Sequence, residues 1–161
     1  MSLACGIDVG GTKIAGGVVD ESGTILEELR VESPATDAEA IEEAIAGLVV
    51  ELRSRHPIET VGVGAAGYVD KARAVVLFAP NVAWRNEDLK GELEKRIDLP
   101  VVIENDANAA AWGEFTYGAG HDADDLLLVT VGTGVGGGLV LDGEVYRGAN
   151  GVGAEIGHMR V

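Results

Sequence analysis

A short turn near the start of the sequence combines the groups that phosphate binding needs. It carries a carboxylate, two glycines, a hydroxyl and a lysine: Asp8, Gly10, Gly11, Thr12 and Lys13. Glycines let main-chain N–H groups approach phosphate oxygens, and the hydroxyl and the cation add further contacts. Asp8 can hold magnesium through water. A tight turn that only needs glycine also explains these residues, so the motif alone leaves both interpretations open.

A second turn of the same kind lies near the end of the chain, between two further apolar runs. Gly132, Thr133 and Gly134 repeat the glycine and the hydroxyl of the first turn. Two such turns facing each other across a cleft can grip the phosphates of one nucleotide, and the repetition favours phosphate contact over a purely structural turn. The sequence therefore predicts a nucleotide site built by both turns.

A carboxylate suited to accept a proton follows the apolar run at 101–104. Asn105 and Asp106 come directly after this run and begin an alanine-rich helix. Their side chains should therefore project from the carboxyl end of a strand, where α/β proteins bind ligands. Helix capping alone would also explain them. Beside bound phosphate, an ionised Asp106 can accept the proton of an attacking hydroxyl, and the helix N-terminus favours the ionised form.

The glycine spacing of a dinucleotide-binding loop, G-x-G-x-x-G, occurs twice, beginning at Gly62 and at Gly132. A dinucleotide loop must open a helix whose N-terminus meets the pyrophosphate. The first stretch leads instead into a proline-containing segment, and the second leads into a predicted strand. We therefore reject a dinucleotide site at either position.

The elements that position these groups alternate between strands and helices. Apolar runs predict strands at 3–9, 14–19, 24–32, 60–67 and 101–104, and on both sides of the second turn. One helix follows Pro34, with Thr36 and Glu39 as a capping box, and Pro57 stops it. A second helix is capped by Asn86, and the third begins near residue 105. Strand, helix and strand in succession predict a parallel crossover, so the fold class is α/β.

Composition excludes several classes of protein. The 161 residues are 47% hydrophobic and carry a formal net charge of −15, so we expect no binding to nucleic acid or to an anionic membrane surface. Cys5 is the single cysteine of the sequence and is expected to be buried in the first strand as a small hydrophobe. No apolar run reaches about 18 residues and no secretory signal is visible, which predicts a cytoplasmic protein.

Five motifs together give the chain a family resemblance. They are IDVGGTK at 7–13, FAPN at 78–81, ENDANAAAWGE at 104–114, VGTGVGGGL at 131–139 and GAEIGH at 153–158. In this order and spacing, over nearly all of the chain, they resemble the ROK family of repressors and sugar kinases. The resemblance implies a ribonuclease H-like, actin-type fold with ATP and Mg²⁺ between two lobes. It also implies phosphorylation of a hexose, with glucose expected, at the 6-hydroxyl.

The resemblance also assigns roles to single residues. Asp106 matches the family's catalytic base, and four more residues match positions that hydrogen-bond sugar hydroxyls: Asn81, Asn105, Glu155 and His158. Amides and carboxylates at fixed positions distinguish hexose epimers better than apolar contacts do. The family's histidine at position 158 is also a zinc ligand, together with cysteines of a following C-x-C-G-x-x-G-C segment. A structural zinc is therefore expected only in the full-length protein. Ala154 stands where the family commonly has glycine.

Residues 120–124 form the predicted boundary between two domains. Residues 1–119 would form the small α/β lobe, and 120–161 the beginning of the large lobe, because the second turn echoes the first. About 40 residues are too few for an independent α/β unit. We therefore expect the chain to be the N-terminal half of a longer protein, inactive by itself, with the full-length protein a dimer or tetramer.

Three other functions share part of this pattern. A ROK repressor would carry a helix-turn-helix domain before the first turn, but Asp8 lies almost at the N-terminus and the chain is acidic. A structural or chaperone ATPase of the actin type has no evident use for the Asn105–Asp106 pair. Kinases that act on mannose or N-acetylhexosamines, or that use polyphosphate, share all the motifs, and the sequence leaves them open.

Overall fold

A computed structural model describes residues 2–132 and 134–159 of the chain. Its strands are Leu3–Val9 (β1), Lys13–Val19 (β2), Ile25–Glu32 (β3), Ile58–Ala65 (β4), Tyr68–Val69 (β5), Val76–Phe78 (β6), Arg85–Glu87 (β7), Val101–Asn105 (β8), Leu126–Val131 (β9), Val135–Leu141 (β10) and Glu144–Val145 (β11). Its helices are Ala38–Arg53 (α1), Leu89–Ile97 (α2) and Asp106–Tyr117 (α3), with a short 3₁₀ helix at Ile156–His158.

The main sheet has five strands in the order β3-β2-β1-β4-β8. The pairs β1–β2 and β2–β3 are antiparallel, whereas β1–β4 and β4–β8 are parallel. The predicted α/β class is confirmed. Because β1, β4 and β8 run in the same direction, their carboxyl ends meet at one edge of the sheet. Asp8 and Asp106 both lie at this edge.

The hydrophobic core lies between one face of the main sheet and helices α1 and α2. Alternate residues of β1, namely Cys5, Ile7 and Val9, point into this core and are buried, while Gly6 and Asp8 between them are exposed. This alternation is the period of two that a strand requires. The single cysteine is buried as expected, and burial raises the pKa of its thiol to about 11, which makes it unreactive.

Two of the three predicted helix starts are wrong by one or two residues. The cap of α1 is Asp37, whose carboxylate accepts a hydrogen bond from Ala40 N at 3.1 Å, not Thr36. The cap of α2 is Asp88, not Asn86, which lies in β7. Each aspartate accepts a hydrogen bond from the backbone N–H three residues further along the chain, as an N-cap residue does. The helix α1 also ends at Arg53, before Pro57.

A three-stranded sheet, β5-β6-β7, occupies the segment that the sequence indicated only as proline-containing. Its strands are two or three residues long, which is too short to show an alternating pattern. This sheet precedes α2 and carries the FAPN motif on and after β6.

The third sheet, β11-β10-β9, confirms the two strands predicted around the second turn. Helix α3 packs directly on β10, because a Cβ at Gly138 would lie 2.5 Å from both Ala107 O and Ala111 Cβ. The glycines after the second turn therefore allow close helix–sheet packing. The predicted domain boundary at 120–124 falls between α3 and β9 and stays a prediction. Among the described residues no helix is long and apolar enough to cross a membrane.

Candidate active site

The first predicted phosphate turn is closed by a hydrogen bond from Gly10 N to Lys13 O at 3.0 Å. It joins β1 to β2, and Thr12 and Lys13 are exposed. Gly11 lies against the FAPN segment, because a Cβ at position 11 would be 3.1 Å from Asn81 O. The structure therefore brings the first turn and one of the predicted sugar-binding residues into contact.

The candidate base, Asp106, is the first residue of α3 and is exposed to a cavity. The protein around its carboxylate removes part of the hydration and raises the pKa of Asp106 above the usual value. A hydrogen bond from Ala107 N to Oδ1, at 2.9 Å, lowers this pKa, and the negative charge of Asp8 raises it. The net rise makes Asp106 a better proton acceptor than an ordinary aspartate, as a general base requires.

Asn105 caps α3, as its position after β8 predicts. Its Oδ1 accepts from Asn108 N at 3.0 Å, and its Nδ2 donates to Gly67 O at 3.0 Å. One lone pair of the oxygen and one N–H remain for a further partner. Gly67 itself has no room for a side chain, since a Cβ there would collide with Phe78 O and Ala79. Gly67 thus brings the FAPN segment next to Asn105, a role that the rejected dinucleotide pattern did not indicate.

The second predicted phosphate turn joins β9 to β10. Gly132 N donates to Gly134 O at 2.9 Å, and Thr133 lies outside the residues that the structure describes. Among the residues that the structure describes, a Cβ at Gly132 or Gly134 would meet no heavy atom within 4 Å. Unlike the tightly packed glycines of β10, these two are not packed against other described residues, so a ligand can approach the turn, as a phosphate-binding turn requires.

Glu155 and His158 lie together near the end of the chain. Glu155 precedes the 3₁₀ helix, and its Oε2 is 3.9 Å from Nε2 of His158, whose side chain is 73% exposed. Ala154 has φ +62°, a left-handed conformation that glycine adopts more easily. Within 2–132 and 134–159, no three His, Cys, Asp or Glu side chains are grouped as a metal would require. The zinc role of His158 stays a prediction.

A cavity of about 1180 Å³ opens on the exposed face of the main sheet. Its wall includes Asp8, Lys13 and Asp106, so the structure brings together the candidate magnesium ligand, the candidate phosphate-binding lysine and the candidate base. The four predicted sugar-binding residues do not line it: Asn81, Asn105, Glu155 and His158. The cavity therefore joins part of the predicted site and does not enclose the rest.

Sequence reasoning missed Arg85, which holds the loop that carries Asn81. Its Nη1 donates to the carbonyl oxygens of Ala79, Val82 and Trp84, at 2.6, 3.1 and 2.6 Å. Its guanidinium also stacks 4.1 Å from the centre of the Phe78 ring. These bonds run to main-chain atoms, and the sequence shows only a charged residue after an apolar segment.

The ROK family model matches residues 4–161, and the chain belongs to the ROK family. The mixed α/β architecture, with its sheet and three helices, agrees with this family, whose sugar kinases have the actin-like ATPase fold. The fold class expected from the sequence is therefore confirmed.

Individual relatives are similar over the whole chain. It is 53% identical, over 161 residues, to a glucokinase of Streptomyces coelicolor, covering 100% of the chain and 50% of that protein. It is 56% identical, with a TM-score of 0.94, to a ROK family glucokinase from Streptomyces griseus solved in complex with glucose and AMPPNP, covering 99% of the chain and 51% of that structure. The chain thus spans about half the length of the curated relatives it matches.

A third similar protein is named for two phosphoryl donors and for two sugars. The chain is 37% identical, with a TM-score of 0.86, to an inorganic polyphosphate/ATP-glucomannokinase from an Arthrobacter strain, covering 100% of the chain and 65% of that structure.

Proposed function

We propose that this chain provides the N-terminal half of a glucokinase that transfers the γ-phosphoryl group of ATP to the 6-hydroxyl of glucose. The observation that carries the proposal is the setting of Asp106. This carboxylate has a raised pKa and begins a helix. It lies beside Asp8 at the edge of the sheet where the first phosphate turn follows β1. A base beside a phosphate site is the arrangement that phosphoryl transfer to an alcohol requires.

The residues present fit a nucleotide and its metal. The accessible second turn, with Gly132 and Gly134, and the first turn, Gly10 to Lys13, would hold the phosphates, and the Lys13 ammonium would add a charged contact. Asp8 would hold Mg²⁺ through water. When bound, Mg²⁺ neutralises the charge that develops on the phosphate oxygens during transfer. Asp106 takes the proton of the 6-hydroxyl, and the hydroxyl oxygen then bonds to phosphorus as ADP leaves.

The sugar would be held by Asn81, Asn105, Glu155 and His158. Asn105 supports this role because it keeps one lone pair and one N–H after it has capped α3. His158 is exposed and would also be one ligand of a structural zinc in the full-length protein, whose other ligands would come from outside these 161 residues. We further propose that the full-length protein is a cytoplasmic dimer or tetramer.

A kinase that uses polyphosphate or phosphorylates mannose is the second candidate. Similarity to the Arthrobacter glucomannokinase favours it, and a main-chain phosphate cradle recognises phosphate oxygens without contacting an adenine. The residues proposed here would serve either donor.

A sugar and donor panel tests the proposal. It is carried out on a protein of the relatives' full length, of which this chain would form the N-terminal half. Glucose, mannose, N-acetylglucosamine and N-acetylmannosamine are each tested with ATP and with polyphosphate. We expect the highest kcat/KM for glucose with ATP. Higher kcat/KM with another sugar or with polyphosphate would support the second candidate, and binding of glucose without phosphorylation would overturn both.

A further inference from the structure

Glu104 is a buried carboxylate that the proposed reaction does not use. It lies at the carboxyl end of β8, immediately before Asn105 and Asp106, and only 8% of the residue is exposed. Burying a carboxylate costs free energy unless hydrogen bonds and opposite charges satisfy it. Both oxygens of Glu104 are satisfied, and each one by a different part of the chain.

Oε1 of Glu104 serves the start of α3. It accepts hydrogen bonds from Asn105 N at 3.0 Å and from Nδ2 of the buried Asn108 at 3.2 Å. These donors lie just before and just after the base Asp106. The oxygen therefore fixes the helical turn from which the Asp106 side chain projects.

Oε2 of Glu104 serves two distant arginines. It accepts from Nε and Nη2 of Arg147, at 2.9 and 2.7 Å, and lies 3.2 Å from Nε of Arg73. Arg147 follows β11 and precedes the segment with Glu155 and His158, while Arg73 lies in the turn between β5 and β6. Hydrogen bonds between charged groups are stronger than neutral ones, and two of them from one guanidinium also fix its orientation.

We propose that Glu104 is a positioning residue that links the turn carrying Asp106 to Arg147, and so holds the two sides of the sugar site in register. This proposal rests on the proposed function, in which the sugar is bound by Asn105 on one side and by Glu155 and His158 on the other. A carboxylate with one oxygen for each side transmits any movement of the 146–158 segment to the base. Loss of its charge would leave Arg147 without its partner and separate the two sides.

The test is Glu104→Gln in the full-length protein. Glutamine keeps an oxygen for Asn105 N but cannot balance the charge of Arg147. We expect the KM for glucose to rise and kcat to fall, each about tenfold, with the KM for ATP unchanged. The matched control is Glu94→Gln, because Glu94 Oε1 accepts from Val101 N at 3.0 Å at the opposite end of the same strand. The control should keep wild-type kinetics.

Two further measurements separate positioning from general stability. Arg147→Gln should reproduce the kinetic change, and the double variant should be no worse than either single one, since both remove the same link. Equal losses in the Glu94→Gln control, or additive effects in the double variant, would overturn the proposal. If Glu104→Gln does not fold, the comparison of Arg147→Gln with Arg147→Lys decides, with lysine expected to restore part of the glucose KM.

Amide hydrogen exchange gives a readout that does not depend on activity. In Glu104→Gln we expect faster exchange both at residues 105–109 and at 146–158, and in Glu94→Gln at neither. If the wild-type protein phosphorylates no sugar but this paired change is seen, the proposed function fails and the structural link stands. If the two segments respond independently, the link is wrong even in an active kinase.

Discussion

Gly11 and Asn81 are in direct contact, although 69 residues separate them along the chain. A Cβ added to Gly11 would lie 3.1 Å from the carbonyl oxygen of Asn81 and 3.2 Å from its Cβ. Gly11 belongs to the proposed phosphate turn, and Asn81 belongs to the proposed sugar site. A side chain at position 11 must therefore disturb both sites, whereas one at Gly134 meets open space.

Gly11→Val should raise the KM for both ATP and glucose, each about tenfold, because the valine displaces Asn81 as well as the bound phosphate. Gly134→Val should raise the KM for ATP by a similar factor and leave the KM for glucose unchanged. Steady-state kinetics with each substrate varied in turn on the full-length protein measure both. If the KM for glucose also remained unchanged in Gly11→Val, the contact with Asn81 would have no role in sugar binding.

Ala154→Gly should stabilise the protein by about 1 kcal/mol, because a left-handed residue with a Cβ is strained at φ +62°. Urea unfolding of the full-length protein measures this, with Ala149→Gly as the control in the same segment. Ala149 does not have a positive φ, so glycine there should lower stability by a few tenths of a kcal/mol. Equal effects of both substitutions would show that the conformation of Ala154 is not strained.

The buried Glu42 of α1 should make stability depend on pH. Burial raises the pKa of Glu42 to about 7, although Arg96, 3.0 Å away, lowers it. The folded state therefore holds the proton more tightly than the unfolded state, and stability is lost as pH rises from about 4.5 to about 7. Glu42→Gln should match the wild type near pH 4.5 and be more stable by about 1 to 3 kcal/mol at pH 8.

Urea unfolding at a series of pH values gives this comparison. Glu43→Gln is the control, since Glu43 lies on the exposed side of the same helix and beyond its first turn, and it should change neither the free energy of unfolding nor its dependence on pH. A wild-type stability that rose between pH 5 and pH 8 relative to Glu42→Gln would contradict the assignment.

The long strands and helices could be predicted from the sequence, because β1, β2, β4 and α1 show strong periodicity. The cap Asn105 was predicted, since a strand followed by an asparagine and an alanine-rich run is a local pattern. The pairing of Glu104 with Arg73 and Arg147 could not be predicted, because it joins residues from three separate segments. The packing roles of Gly11 and Gly67 could not be predicted either, since the close approach of a segment distant in sequence leaves no local pattern.

The 161 residues alone should be inactive and prone to association. At the edge of the third sheet, β9 exposes Leu127, Val129 and Val131 on one face, at 57, 49 and 82%. An exposed apolar edge strand pairs readily with other chains. We expect no measurable glucose phosphorylation, no stoichiometric zinc, and larger particles in light scattering than for the full-length protein.

A double variant, Val129→Thr with Val131→Thr, should reduce this association because it keeps the strand shape and lowers the apolar surface. Val50→Thr is the control, as Val50 is 56% exposed on α1, away from this edge. A monodisperse and active 161-residue chain would show that the predicted boundary at 120–124 and the need for a second half are both wrong.

The catalytic assignment of Asp106 is the central claim, and a coupled glucose 6-phosphate assay of Asp106→Asn in the full-length protein tests it most directly. The amide keeps the size and the hydrogen bond from Ala107 N but cannot accept the hydroxyl proton. We predict that kcat falls by about 10² to 10⁴ with a modest change in glucose affinity, while the fully exposed Asp122→Asn keeps wild-type turnover. Turnover within a factor of a few of the wild type in Asp106→Asn would contradict the account.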